Sequence, residues 1–291
     1  MKEIRGVITA MATPFDEDGR VDLDASRRLA AHLLEHGSHA LVIAGTTGEC
    51  PTLTDGEDIE LLQAVRKEVG DEPLLVCGTG TNDTRHSCEL TKMAADAGAD
   101  ASLVVVPYYN KPNRAGIRAH FETVAEAVPE LPMVMYNIPS RVVVNADVEL
   151  LGELGRDVSN IVAVKQANDE ELGPIEGLGV IAGNDNVFLR VLEFGGAGGI
   201  LVASHLVGDR MREMWDAAQS GDLDRARRID AEITPVYEGL SVTTNPIPVK
   251  AGLEMLGLAA NRLRLPLVPV DAEQRAAVRA GLDAAGVPVA S

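Results

Sequence analysis

Lys165 closes an otherwise aliphatic run, Ile161-Val162-Ala163-Val164-Lys165. Lysine is rarely buried without a reason. At the end of a strand, in a partly desolvated pocket, its amine loses proton affinity, and the neutral form can attack a carbonyl carbon. A lysine so placed can also reach solvent or pair with an acid. A second run, Met133-Val134-Met135-Tyr136, leads into Asn137-Ile138-Pro139-Ser140-Arg141. Tyr136 would set a phenol near the amine, where it can shuttle protons to and from a carbinolamine. Arg141 offers a planar fork for a carboxylate.

Gly45-Thr46-Thr47-Gly48-Glu49 ends another aliphatic run. Its glycines permit a tight turn that exposes N–H groups and the hydroxyls of Thr46 and Thr47, a cradle for a small carboxylate. Thr46 and Glu49 also have the spacing of a capping box. Pro107-Tyr108-Tyr109-Asn110-Lys111-Pro112 holds two of the chain's four tyrosines, suited to a site or to an interface. In Gly183-Asn184-Asp185 the glycine lets backbone approach a substrate closely, although a plain turn reads the same way. No HExxH or GxGxxG pattern and no Ser/His/Asp order stands out. The six histidines are scattered, and no metal site is expected.

These residues must be held by something. Eight short apolar runs read as strands buried on both faces: Gly6–Met11, Ala40–Ala44, Leu74–Cys77, Ala101–Val106, Met133–Tyr136, Ile161–Lys165, Val180–Ala182 and Ile200–Ala203. Amphipathic segments fill the gaps, among them Asp55–Val69 behind a Thr54/Glu57 capping box and Thr84–Ala97 stopped by Gly98. The segment after Lys165 is a weaker helix. Eight βα repeats in 291 residues predict an α/β fold, a (β/α)8 TIM barrel of about 250 residues, with reactive groups at the C-terminal strand ends. An open doubly wound sheet is the alternative. Past Ser204 the pattern turns helical, so residues 1–220 are expected to form the barrel and 221–291 a helical extension.

Hydrophobic residues make up 46% of the chain but aromatics only 3%, so the core must be aliphatic. A net charge of −18 argues against nucleic acid or an anionic membrane as a partner. Cys50, Cys77 and Cys88 show no metal-ligand spacing and read as reduced thiols. The charged N-terminus lacks a signal-peptide pattern, and no run approaches the ~18 residues of a membrane span. A cytoplasmic protein is expected.

Taken together, the Gly45–Glu49 turn, Tyr108-Tyr109-Asn110-Lys111-Pro112, the Tyr136–Arg141 motif and Lys165 resemble the dihydrodipicolinate synthase and N-acetylneuraminate lyase superfamily. Gly183-Asn184-Asp185 and Asn245-Pro246-Ile247-Pro248-Val249-Lys250 support the likeness, which spans nearly the whole chain. It implies that Lys165 condenses with pyruvate as a Schiff base and that no cofactor is needed. It implies a proton relay of Thr47, Tyr136 and a Tyr109 supplied by a neighbouring subunit, hence a homo-oligomer, commonly a tetramer built from two dimers. Thr46 and Thr47 would hold the pyruvate carboxylate, and Gly183 and Ile200 complete the expected substrate-binding set. Arg141 marks the synthase branch and implies L-aspartate 4-semialdehyde as the second substrate, in lysine and diaminopimelate biosynthesis. Another pyruvate-dependent aldolase, such as a 2-keto-3-deoxy sugar-acid aldolase, is the alternative; a catalytically silent sensor is a third reading.

The chain departs from the synthase branch at Val142-Val143, where Thr-Gly is usual, and at Gln166-Ala167-Asn168. It also lacks residues that lysine-inhibited relatives resemble one another in. Cys50-Pro51 stand for Ser-Ala, Asp55 and Asp58 for two histidines, and His86 for a glutamate, while Asn82 is kept. Loss of lysine inhibition is therefore expected.

Overall fold

The structure is a computed structural model and describes residues 3–289. Eight parallel strands close into one barrel in chain order. They are β1 (Gly6–Ala10), β2 (Ala40–Ile43), β3 (Leu74–Gly78), β4 (Ala101–Val105), β5 (Met133–Asn137), β6 (Ile161–Gln166), β7 (Gly179–Ala182) and β8 (Gly198–Leu201). Seven of the eight apolar runs become strands within one residue of the expected bounds, and almost every strand residue is buried. Such strands carry no alternation because both faces are covered, one by the barrel interior and one by helices.

Between them lie α1 (Leu23–Glu35), α2 (Asp55–Val69), α3 (Thr84–Asp96), α4 (Arg114–Ala127), α5 (Pro139–Val142), α6 (Val148–Asp157), α7 (Phe188–Glu193) and α8 (Ser204–Gln219). Their starts are set by side chains that satisfy free N–H groups. Asp22 accepts from Ala25 N, and Thr54 and Glu57 form the expected reciprocal box. The segment after Lys165 forms only a single tight turn, Asp169–Glu171, before β7.

The eighth strand is displaced from its expected position. It covers Gly198–Leu201 rather than Ile200–Ala203. Two glycines begin it, and glycine gives no strand signal. Gly198 is required there: it sits at φ 129, and a Cβ would lie 2.1 Å from the Gly6 carbonyl oxygen where β8 meets β1. Val202 and Ala203 leave the sheet because their N–H groups donate to Asp185 Oδ1, at 2.9 and 3.0 Å. The next helix, α8, begins at Ser204, where the helical pattern was expected to set in, and bends at Val207.

Beyond the barrel follow α9 (Leu223–Leu240), α10 (Ile247–Met255) and α11 (Ala272–Ala284). Helix α9 packs on both α8 and α11. Among the described residues no helix is long and apolar enough to cross a membrane.

Candidate active site

The C-terminal strand ends open into a cavity of about 350 Å³. Strand β6 delivers Lys165 to it and β5 delivers Tyr136, directly opposite in the parallel register. The Lys165 Nζ lies 4.3 Å from the centre of the Tyr136 ring. Both side chains are 5% exposed. Burial pulls the Lys165 amine down to about 7, Asp185 opposes that shift, and the Arg141 guanidinium adds to it. Among the described residues no carboxylate pairs with this amine, so pairing with an acid is not its role. At neutral pH a large fraction is therefore unprotonated, with its lone pair free for attack on a carbonyl. Burial pushes the Tyr136 phenol up to about 12, Arg141 and the Thr46 hydroxyl working against it. It stays protonated and can donate to an oxygen.

The turn after β2 brings Thr46 and Thr47 to the same cavity. Thr47 is buried, and its Oγ1 accepts from Asn245 Nδ2 at 2.9 Å. No capping box forms between Thr46 and Glu49; Glu49 adopts φ 60 and turns into the protein. Arg141, on α5, reaches the cavity and donates to the Asn245 carbonyl at 3.0 Å and to Thr244 Oγ1 at 3.3 Å. The 244–245 segment thus braces both the threonine turn and the arginine.

The fold and this arrangement have relatives. The profile of the dihydrodipicolinate synthetase family matches residues 3–285. The chain belongs to this family. A relative from a Synechococcus strain, named 4-hydroxy-tetrahydrodipicolinate synthase, is 46% identical over 279 residues, 94% of this chain and 92% of that one. Another of that name, from Moorella thermoacetica, is 43% identical over 289 residues, 97% of this chain and 98% of that one. Among solved structures, the Cyanidioschyzon merolae protein with lysine bound superposes with a TM-score of 0.93 at 40% identity, covering 98% and 99% of the two chains. The Thermotoga maritima dihydrodipicolinate synthase gives 0.93 at 35%, covering 98% and 99%. The chain is thus an enzyme of the dihydrodipicolinate synthetase family, on the barrel its sequence predicts.

The other expected residues are placed as follows. Gly183 lines the cavity, and a Cβ there would meet Ala167 Cβ at 2.6 Å and the Gln166 carbonyl oxygen at 2.8 Å, so no larger residue fits. Ile200 is fully buried in β8 beside Ile8 of β1 and is not among the residues lining the cavity. Tyr109 also lies away from the cavity of its own chain. It is 87% exposed and held at φ 68, a conformation that costs a non-glycine residue about 1–3 kcal/mol.

A second buried lysine provides a contrast. Lys250 of the Asn-Pro-Ile-Pro-Val-Lys motif forms an ion pair with Glu49, donates to the Arg262 carbonyl at 2.7 Å and sits 4.1 Å over the Phe15 ring. Glu49 also accepts from Arg264 N at 3.0 Å. This lysine locks the motif after β2 to the C-terminal segment.

A second cavity, of about 380 Å³, lies across the wall formed by Thr46, Ile138 and Arg141. Cys50, Pro51, Asp55, Asp58, Asn82 and His86 all line it. These are the positions at which the sequence departs from lysine-inhibited relatives, or, for Asn82, agrees with them. His86 Nε2 sits 2.9 Å from the Asp55 carboxylate. Asp58 is buried with Oδ1 unpartnered, and burial followed by its neighbours Asp55 and Glu57 pushes its carboxyl up to about 8.

Sequence reasoning missed Asp185, Asn245 and Tyr237 as parts of the catalytic cavity. Asp185 and Asn245 stood inside recognised motifs and carried a signal. Tyr237 lies on α9, and nothing about its neighbourhood in sequence sets it apart.

Proposed function

We propose that this enzyme condenses pyruvate with L-aspartate 4-semialdehyde, the 4-hydroxy-tetrahydrodipicolinate synthase reaction, through a Schiff base on Lys165. The observation that carries the assignment of the nucleophile is a buried amine with no salt-bridge partner among the described residues, pulled to about 7 beside a phenol and two threonines. Thr46 and Thr47 hold the pyruvate carboxylate. The neutral Lys165 nitrogen attacks the ketone carbon, and the resulting oxyanion takes a proton from Tyr136. Loss of water gives the imine. Loss of a C3 proton then gives an enamine, whose C3 attacks the aldehyde carbon. The substrate's own amine finally attacks the imine carbon, displacing the Lys165 amine and closing the ring. The imine accepts the electron pair released when C3 loses its proton, the aldehyde oxygen accepts it in the carbon–carbon step, and the chain's other residues only move protons and orient the two substrates.

Arg141 is the carboxylate fork for the second substrate, and Gly183 gives its carbon chain room beside β7. Tyr109, exposed and conformationally fixed, extends the Thr47–Tyr136 proton path in a neighbouring subunit, so the active form is at least a dimer and, in this reading, a tetramer of two dimers. Borohydride added with pyruvate should raise the intact mass by one reduced pyruvate adduct, mapped to Lys165. An adduct at Lys250 or Lys111 instead would overturn the assignment. Turnover of aspartate semialdehyde against a panel of sugar-acid aldehydes tests the second substrate. A fully active monomer in sedimentation at assay concentration would remove Tyr109 from the mechanism.

A further inference from the structure

The residues that follow Tyr136 and Lys165 in the chain form a buried network of their own. Tyr136 and Lys165 are partners across β5 and β6, and so are the next two, Asn137 and Gln166. Successive strand residues point to opposite faces. Lys165 and Tyr136 face the cavity, whereas Asn137 and Gln166, both fully buried, face the segments behind it. Asn137 Nδ2 donates to Asn145 Oδ1 at 2.8 Å and to Gln166 Oε1 at 2.9 Å. The same amide meets Ala146 in both directions: Oδ1 accepts from Ala146 N at 3.1 Å, and Nδ2 lies 3.2 Å from the Ala146 carbonyl oxygen. Asn137, which precedes the excursion 138–145 that carries Arg141, thus also holds its far end. Gln166 Oε1 accepts a second bond, from Asn168 N at 3.1 Å.

The orientation of Gln166 follows from these donors. Asn137 Nδ2 and Asn168 N both find their acceptor in its oxygen, so Nε2 turns away and has no partner among the described residues. A buried N–H left unpaired is costly. A glutamate would supply the same acceptor without that orphan, but it would set a charge behind Lys165. The acid already in the network, Glu171, accepts from Asn145 Nδ2 at 2.9 Å and has its other oxygen buried and unpartnered. Asp169, on the same turn, accepts from Asn184 Nδ2 at 2.8 Å. On the cavity side, Asp185 opposes loss of the Lys165 proton and Arg141 promotes it, while the Tyr136 phenol stays neutral. A further carboxylate behind the amine would shift that balance toward the ammonium form.

We propose that Gln166 is a positioning residue: through Asn137 it ties the strand ends carrying Lys165 and Tyr136 to the loop carrying Arg141, and it does so as a neutral acceptor that adds no charge beside the nucleophile. The proposal rests on the Schiff-base reading above and deepens it. It gives a role to one of the positions at which the sequence departs from the synthase branch. Neither amide touches the reacting atoms; both act on where those atoms stand.

The test compares Gln166→Met with Gln166→Glu. It reads the initial rate of borohydride-trapped pyruvate adduct as a function of pH, and the KM for aspartate semialdehyde. Gln166→Met keeps the bulk and removes the acceptor. It should slow trapping about tenfold at every pH and raise the aldehyde KM about tenfold, with the acid limb of the profile unmoved. Gln166→Glu keeps the acceptor. Its plateau rate and aldehyde KM should match the native enzyme, while the acid limb moves up by roughly one pH unit, because a nearby negative charge favours the ammonium form. A limb that coincides with the native one overturns the proposal. So does a Gln166→Met enzyme that melts at lower temperature yet traps pyruvate and turns over like the native one, since the residue is then structural. If Gln166→Glu does not fold, the same shift is expected of Gln166→Glu combined with Glu171→Gln, which keeps one carboxylate in the network. If neither folds, the neutral amide serves stability alone and the proposal falls. A native enzyme that forms no adduct at Lys165, or does not turn over aspartate semialdehyde, defeats the reading above instead, a separate outcome.

Discussion

The two cavities on either side of Arg141 are mirror images in electrostatics. One encloses a lysine without a carboxylate partner, Lys165, and burial pulls its amine down to about 7. The other encloses an unpartnered aspartic acid, Asp58, and burial pushes its carboxyl up to about 8. They share Thr46, Ile138 and Arg141 as a wall. In both, desolvation is the main cause and the group is moved toward its neutral form. The difference lies in what neutrality provides. A neutral amine gains a nucleophilic lone pair, whereas a neutral carboxyl loses the charge that would bind an ammonium ion. Lys250 shows the third possibility, a buried lysine kept in place by a buried acid.

The largest expected effect separates the two lysines. Lys165→Ala should abolish the pyruvate adduct and lower kcat by at least about 10⁴-fold, as loss of a covalent nucleophile does in other enzymes, with melting little changed. Lys250→Met should keep the adduct in folded protein but destabilise it by about 3–5 kcal/mol in denaturant titration, since Glu49 is left buried and unpaired. If instead Lys250→Met loses the adduct and stays stable, the roles are reversed.

Truncating the shared wall comes next. Arg141→Ala should raise the KM for the aldehyde about 10–100-fold, while pyruvate trapping continues, because a charge-assisted pair to a carboxylate contributes about 1.5–3 kcal/mol. Equal damage to both substrates would show that the arginine acts by holding residues 244–245 rather than by binding.

The opposite pKa shifts predict opposite pH slopes of stability. Lys165 titrates near 7 when folded and near 10.4 when unfolded. Between those values the unfolded chain binds more protons, so this group's contribution to stability rises with pH. Asp58 titrates near 8 folded and near 3.9 unfolded. There the folded chain binds more protons, so its contribution falls as pH climbs from about 4 to 8. Asp58→Asn should therefore gain on the parent enzyme over that window, by at most about 1.4 kcal/mol per pH unit. A difference that is flat from pH 5 to 8 would mean that Asp58 is ionised in the folded enzyme.

The smallest effect is an expected absence. With Cys50, Pro51, Asp55, Asp58 and His86 around the second cavity, 1 mM L-lysine should leave turnover unchanged. A neutral Asp58 offers no charge to the ligand's ammonium group, and the His86–Asp55 pair occupies the wall. Half-maximal inhibition below about 1 mM, an affinity of roughly −4 kcal/mol, would show a rebuilt lysine site.

The sequence by itself determined the barrel, because parallel strands buried on both faces must be written as short aliphatic runs, and such runs are visible without any contact map. It marked the proposed nucleophile for a related reason: a lysine closing one of those runs stands at the mouth of the barrel. It marked Thr46, Thr47, Tyr136 and Arg141, since each stands at the end of a strand or in the segment that follows it. Tertiary structure alone decided the rest. The Glu49 of the threonine motif turned out to be the buried partner of Lys250, 201 residues away in the chain. Strand β8 slid toward its glycines because Asp185 captured the two N–H groups that would have extended it. Tyr237 reached the cavity from α9, a helix with no part in the βα repeat. Local periodicity reports which face of an element is buried, but not what lies against that face; that is fixed only when distant segments pack.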